Sequence, residues 1–176
     1  MPESSEGNFF TLKDVGEGTY HAEVGGESKD CYIKDVHYAG SSALEDGFTV
    51  VRGAPATLEI TISSHGARVQ GTVTDKDGLP ATGVWGVLVP DLAHRTQYRL
   101  YKTLTTDQYG RFDLRGIPPG EYKLFSWEEV ESGAWEDPEF LKAFEEKGEK
   151  IVLQEGDQKT LGLVTIRTKS QAEAKP

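Results

Sequence analysis

The stretch GRFDLRGIPPGEYKLFSW, Gly110–Trp127, repeats a phrase the chain has already used at Gly7–Val24, GNFFTLKDVGEGTYHAEV. Both follow Phe-x-Leu-x-x-(Val/Ile)-x-x-Gly-x-Tyr. Phe10, Leu12, Val15, Gly18 and Tyr20 fall on Phe112, Leu114, Ile117, Gly120 and Tyr122 at a fixed offset of 102. Apolar residues two apart, a glycine turn and an aromatic describe a strand, a corner and a second strand. A generic strand-turn-strand would read similarly, but it would not share the whole Leu-to-Tyr spacing. The correspondence resumes downstream, where Phe48, Val50, Gly53, Leu58 and Ile60 match Ile151, Leu153, Gly156, Leu161 and Leu163. A period of about 100 residues is that of a domain, which excludes a short-period solenoid and points to units in tandem.

The bulk composition agrees with small β units. Hydrophobic residues make up 36% of the 176, with 20 Gly, 8 Pro, 7 Phe, 7 Tyr and 3 Trp, so strands should be short and turns many. About 100 residues suffice for a sandwich to close a core. The formal charge of −10 disfavours a polyanionic partner, and the sequence offers no basic patch for nucleic acid. The single Cys31 forms no internal disulfide and fits either redox compartment. No apolar run nears the ~20 residues of a membrane span, and MPESSEGNFF lacks the basic and apolar regions of an export signal. The expectation is a soluble chain with no membrane span.

The second copy is preceded by a segment with no counterpart in the first, His65–Thr106. In it ARVQGTVTD alternates Val69, Gly71 and Val73 against polar residues, as a half-buried strand does. DKDGLP is a turn, TGVWGVLVP a short apolar strand closed by Pro90, and QYRLYKTLTT alternates again before the turn DQYG. About seven strands between Arg68 and Ile166 are close to what a two-sheet sandwich needs. Residues 1–64 then hold only the last four or five strands of such a sandwich. Either the chain begins inside a repeat, or a partner supplies the remaining strands by pairing at an edge.

One helix interrupts the pattern, at about 138–147. Asp137 is placed as its N-cap, Pro138 at its first position and Gly148 just past its end. Phe140, Leu141 and Phe144 form its apolar stripe. On the strand before it, Tyr122, Leu124 and Ser126 point one way, and Lys123, Phe125 and Trp127 the other. If the first set faces the sandwich core, the helix is the natural cover for Phe125 and Trp127.

VQGTVTDKDGLPATG, followed by TTDQYGRFDLRGIPPGEYKLFSW and the later turn LQEGDQ, resembles the carboxypeptidase regulatory-like domain. The resemblance covers about residues 66–168 and implies an all-β, Ig-like or prealbumin-like (transthyretin-like) sandwich. Residues 7–63 resemble the tail of a second such repeat, with GEGTY in place of Pro-Pro-Gly-x-Tyr. The family implies a non-catalytic accessory module, often in tandem in exported or cell-envelope proteins of bacteria, and grouped with carbohydrate-binding folds. An exported or envelope setting follows if the chain is part of a longer protein. In the structural motif, Pro118 and Pro119 stiffen the connection, Gly120 permits an unusual backbone, and Tyr122 supplies a buried ring whose hydroxyl needs a local acceptor. Some related sandwiches lock themselves with a Lys–Asn isopeptide bond. The only asparagine here, Asn8, lies outside the complete domain, which disfavours that device.

Catalytic chemistry finds little support. His21, His37, His65 and His94 lack the His-x-x-Glu or His-x-x-x-His spacing of a zinc peptidase, and neither Gly-x-Ser-x-Gly nor Ser-x-x-Lys occurs. The GEG at 16–18 is too short for a phosphate loop, and Cys31 reads as a half-buried strand residue. Asp75 and Asp77 begin like a calcium loop, but the rest of that pattern is missing and a hairpin turn explains them. We therefore expect no catalytic residues, no metal and no cofactor.

The most unusual surface candidate is WEEVESGAWEDPE, in which Trp127 and Trp135 stand among carboxylates that could stack on and hydrogen-bond a sugar or grip a cationic peptide. The alternative is that both tryptophans pack beneath the helix. Tyr98, Tyr101 and Tyr109 form the other candidate ligand-binding group. The expected organisation is an incomplete sandwich over 1–64, a complete one over 65–168 and a polar tail over 169–176. The expected role is a structural or interaction module with a protein or polysaccharide partner, or alternatively a carbohydrate-binding module using surface aromatics.

Overall fold

The computed structural model describes residues 3–4, 9–25 and 30–168; the tail at 169–176 and Asn8 lie outside the described residues. The chain divides into two compact units, Met1–Val24 with Ile33–Ile62, and Gly25–Tyr32 with Ser63–Pro176. The short segment Gly25–Tyr32 thus groups with the second unit, a detail no sequence signal announces.

The second unit is an all-β, Ig-like sandwich. Its strands are β8 (Ala67–Thr74), β9 (Trp85–Pro90), β10 (Lys102–Thr105), β11 (Arg111–Ile117), β12 (Gly120–Trp127), β13 (Glu149–Leu153) and β14 (Gln158–Val164). One sheet runs β10-β9-β12-β13 and the other β11-β8-β14. Alternation decides what lies between them. Ala67, Val69 and Val73 of β8 face Leu88, Leu104, Tyr122, Leu124, Ile151 and Leu153 of the opposite sheet in one buried cluster. All strand pairs with register are antiparallel except β8 with β14, which run parallel. There Gly71 sits opposite Leu161, and a Cβ at Gly71 would collide with the Leu161 carbonyl oxygen. Only glycine allows that approach.

Two turns use the same device. Asp75 Oδ1 accepts from the amides of Asp77 (2.8 Å) and Leu79 (2.9 Å), and Asp107 Oδ1 accepts from those of Tyr109 and Arg111, both at 2.8 Å. Gly78 and Gly110 follow with φ of +80° and +71°. The Asp75 carboxylate is thus engaged in holding its own turn.

A second apolar layer covers the outer face of the four-stranded sheet. Helix α1 (Pro138–Phe144) starts at Asp137, whose side chain accepts from the Glu139 amide at 2.9 Å, with Pro138 in the first turn. It is shorter than the expected 138–147, because residues Glu145–Lys147 tighten into a 3₁₀ turn. Gly148 does not close the helix with a left-handed residue: its φ is −75°. Its smallness serves packing instead, since a Cβ there would lie 2.6 Å from the Phe125 ring. Under α1, Val87, Val89, Phe125, Trp127, Trp135 and Leu141 are buried together. The faces of β12 divide as the alternation predicts, Tyr122 and Leu124 inward, Phe125 and Trp127 toward the helix.

The first unit contains β1 (Glu3–Ser4), β2 (Phe10–Thr11), β3 (Gly18–Tyr20), β4 (Tyr32–Tyr38), β5 (Ser41–Ser42), β6 (Phe48–Val50) and β7 (Leu58–Ser63). They form the sheets β1-β2, β3-β6 and β5-β4-β7. Their core is small: Ile33, Val36 and Ala43 are buried, with Phe48 and Leu58 packed against them. The sequence expectation left the first unit with only the last four or five strands of a sandwich. In the structure β4, from the same unit, pairs with β7.

Candidate functional site

The repeated phrase is a repeated geometry. Tyr122 donates its hydroxyl to the Pro118 carbonyl at 3.0 Å, four residues back, and Tyr20 donates to the Gly16 carbonyl at 3.0 Å with the same spacing. Strand pairing repeats as well. Gly18 and Tyr20 of β3 stand opposite Val50 and Phe48, as Gly120 and Tyr122 of β12 stand opposite Leu153 and Ile151. The turns that follow place Gly53 and Gly156 at φ of +74° and +79°. In the second unit Phe112, Leu114 and Ile117 all lie in the sandwich core, and Pro118 and Pro119 lead into Gly120. Burial holds the Tyr122 hydroxyl far above the usual tyrosine range, so it stays a neutral donor.

The expected aromatic site is placed differently. Trp127 is fully buried and Trp135 nearly so, and neither ring offers a face to solvent. Trp127 stacks on Phe125 at 5.4 Å and 7°, and meets Phe144 edge-on at 6.0 Å. These two residues belong to the layer beneath the helix, because the strand face opposite the core had to be covered. Trp127 Nε1 is buried with no hydrogen-bond partner among the described residues.

The three tyrosines are also not one group. Tyr98 and Tyr101 precede β10 and lie 6.2 Å apart, tilted by 32°. Tyr109 follows β10, in the Asp107 turn, with the Arg111 guanidinium 5.1 Å from its ring. The whole of β10, ~13 Å long, and the three residues Thr106, Asp107 and Gln108 separate the pair from Tyr109. Tyr98 is 65% exposed, whereas Tyr101 is half-buried and donates to the Arg95 carbonyl at 3.1 Å; burial raises its hydroxyl pKa.

Sequence reasoning missed Trp85. It stands at the start of β9 on the face of Val87 and Val89, beyond the helix, 44% exposed and stacked on Trp135 at 6.1 Å and 25°. The buried Trp135 therefore supports an exposed ring instead of presenting one. Thr105 is the cross-strand neighbour of Trp85 and is exposed. Trp85 with Thr105, and Tyr98 with Tyr101, flank the two ends of β10. The sequence signal was the position itself, at the head of an apolar strand two residues after the Thr82-Gly83 turn.

An ion-paired knot holds the Tyr98–Tyr101 loop to the helix layer. Glu145 accepts from Arg95 Nη2 and Lys123 Nζ, each at 2.8 Å. Burial pushes its carboxyl upward, but Lys123 and Arg95 outweigh it and the pKa falls below the usual value. Asp91 caps the turn Leu92–His94, accepting from Ala93 N at 2.8 Å and facing His94 Nδ1 at 2.9 Å. Burial opposes ionisation there as well, yet the His94 and Ala93 hydrogen bonds hold the Asp91 carboxyl below its ordinary range.

His37 lies near Asp35 at 3.4 Å, His65 beside Ser64 at 3.5 Å, and Cys31 is half-buried immediately before β4. Among the described residues no three His, Cys, Asp or Glu side chains converge as metal ligands. No helix among them is long and apolar enough to cross a membrane.

No family model and no curated protein matches the chain. Solved structures of similar shape include a Pseudomonas aeruginosa protein provisionally described as carbohydrate-binding, at 17% identity and a TM-score of 0.36, over 57% of this chain and 88% of that one. The major pilin subunit of Bacillus cereus is similar at 12% identity and TM-score 0.37, over 76% of this chain and 55% of the pilin. A catechol 1,2-dioxygenase of Acinetobacter is similar at 14% identity and TM-score 0.33, over 57% of this chain and 52% of the enzyme. The chain thus spans about half the length of the pilin and of the dioxygenase.

Proposed function

We propose that the chain is a non-catalytic structural and interaction module made of tandem carboxypeptidase regulatory-like repeats, working within a larger exported or cell-envelope protein of a bacterium. The observation that carries this reading is the duplicated tyrosine corner, with its hydroxyl bond four residues back and its pairing register, in both units. Duplication of a scaffold element without a duplicated ligand site is the economy of a spacer or docking array. The large aromatics support it, since Trp127, Trp135, Phe140 and Phe144 serve a second packed layer.

A carbohydrate-binding role is the second reading, and a specific observation favours it: Trp85 and Tyr98 are exposed rings backed by Trp135 and Tyr101. Affinity electrophoresis of the full chain through gels containing soluble bacterial and plant polysaccharides separates the two. The structural reading expects unchanged mobility in every gel. Retardation that Trp85→Ala or Tyr98→Ala abolishes would replace it with the carbohydrate reading.

A further inference from the structure

A free strand edge is a template for further strands, and the second unit guards its edges by different means. Where β10 and β11 approach each other, β11 carries Arg111, Asp113 and Arg115 on its outer face and shifts register between Leu114 and Ile117, and both features spoil a template. β10 has neither. Its residues KTLT pair with β9 in unbroken register, from Lys102 opposite Leu88 to Thr105 opposite Trp85, and among the described residues no strand bonds its other side. Thr103 and Thr105 are exposed and neutral, so the charge on this edge is that of Lys102. Alternation puts Lys102 on the side of Leu104, and Leu88 and Leu104 both lie in the sandwich core, so its side chain starts inward. Lys102 is half-buried, and among the described residues its ammonium has no ion pair, hydrogen bond or aromatic ring. Burial lowers its pKa, and no charged neighbour contributes. Lys159 makes the contrast: it stands opposite Val69 on the edge strand β14, but it is exposed and lies 3.7 Å from the Asp157 carboxylate. Lys102 hydrates its charge by reaching out past the edge of β10.

We propose that Lys102 holds the edge of β10 open to water and thereby keeps a second copy of this chain from pairing there, β10 against β10. A strand laid along that edge closes the path of the ammonium and leaves a charge without a partner against Leu88 and Leu104. A second copy is the partner this edge fits best once the charge is gone. Antiparallel pairing of β10 with itself about a two-fold axis joins two four-stranded sheets, with neutral threonines meeting on the outer face. Each copy then buries its own Lys102, so the penalty counts twice. The same residue argues that the edge stays open in the native protein, because a covering strand from any source meets this penalty unless it brings a carboxylate to Lys102.

Sedimentation velocity of the full chain, in salt of about 0.15 M so that charges more than ~8 Å apart are screened, tests the proposal. The unaltered chain and Lys102→Arg should sediment as monomers. Lys102→Met, which keeps an unbranched side chain and removes the charge, should self-associate at least ~10-fold more tightly. The substitution makes the formal charge of −10 one unit more negative, so net repulsion works against the expected result. Lys102→Leu repeats the test with a second side chain, and near-UV circular dichroism verifies the fold of each variant. Hydrogen exchange followed by mass spectrometry should show protection added on association over Lys102–Thr105 and none over Glu149–Leu153 of β13. Folded Met and Leu variants that sediment as the unaltered chain does overturn the proposal. Association as strong in the unaltered chain or in Lys102→Arg overturns it too, as does added protection on β13 in place of β10.

Discussion

The two corner tyrosines make the same hydrogen bond in different surroundings, and the surroundings set its worth. Tyr122 is 3% exposed and Tyr20 is 37% exposed. Tyr122→Phe leaves the Pro118 carbonyl without its buried donor and should cost about 1–1.5 kcal/mol in urea denaturation, whereas water replaces the donor in Tyr20→Phe, which should cost less than ~0.5 kcal/mol. The pH dependence has a definite sign. Burial raises the folded pKa of Tyr122 above that of the unfolded chain, so its contribution is full below about pH 10 and is lost as pH climbs from there toward the folded value. Tyr122→Phe should therefore flatten the alkaline fall in stability, and an unchanged fall would mean the hydroxyl is not held neutral by burial. Gly71→Ala is the harshest small change the structure offers. The parallel pair β8–β14 has no room for the methyl group beside Leu161, so refolding yield and melting temperature should both drop.

At the scale of elements, the helix layer is fastened at both ends. Asp137→Ala removes the N-cap and should cost ~1 kcal/mol. At the other end Glu145→Gln breaks charge-assisted bonds to Arg95 and Lys123 and should cost about 1.5–3 kcal/mol. The folded pKa of Glu145 is lowered, so this contribution is present above about pH 4.3 and lost as pH falls through the folded value. The cost of Glu145→Gln should accordingly shrink in acid, and a cost constant with pH would show that shape, not charge, holds the helix end. Beneath the layer, Trp127→Ala empties a fully buried site and should cost about 3–5 kcal/mol.

The alternation in GEYKLFSW already divides Leu124 from Phe125 and Trp127, and Asp137-Pro138 already starts the helix, because both are local rules of spacing and capping. Gly148 misled for the opposite reason. A glycine after a helix reads as a terminator, and only the approach of the Phe125 ring reveals it as a packing residue. Trp85 escaped notice because its exposure depends on where the helix layer stops, which is a fact of tertiary structure.

At the scale of the whole molecule, the two units have unequal cores. The first buries Ile33, Val36 and Ala43, while the second has two apolar clusters on either side of its four-stranded sheet. Buried apolar area sets the hydrophobic contribution, so the first unit should unfold at lower denaturant than the second. Intrinsic probes can follow them separately. Trp85, Trp127 and Trp135 are the only tryptophans and all lie in the second unit, so their fluorescence reports that unit. In the first unit Phe48 stacks against Tyr38 at 4.8 Å and Tyr20 at 6.0 Å, so part of the tyrosine band of near-UV circular dichroism reports that unit, the rest coming from tyrosines of the second such as Tyr101 and Tyr122. The tyrosine band should therefore fall in two steps on titration with urea, the first ahead of the fluorescence change, and Trp127→Ala should move the second step with the fluorescence transition and leave the first in place. Coincident transitions that both respond to Trp127→Ala would mean that the units unfold as one cooperative block.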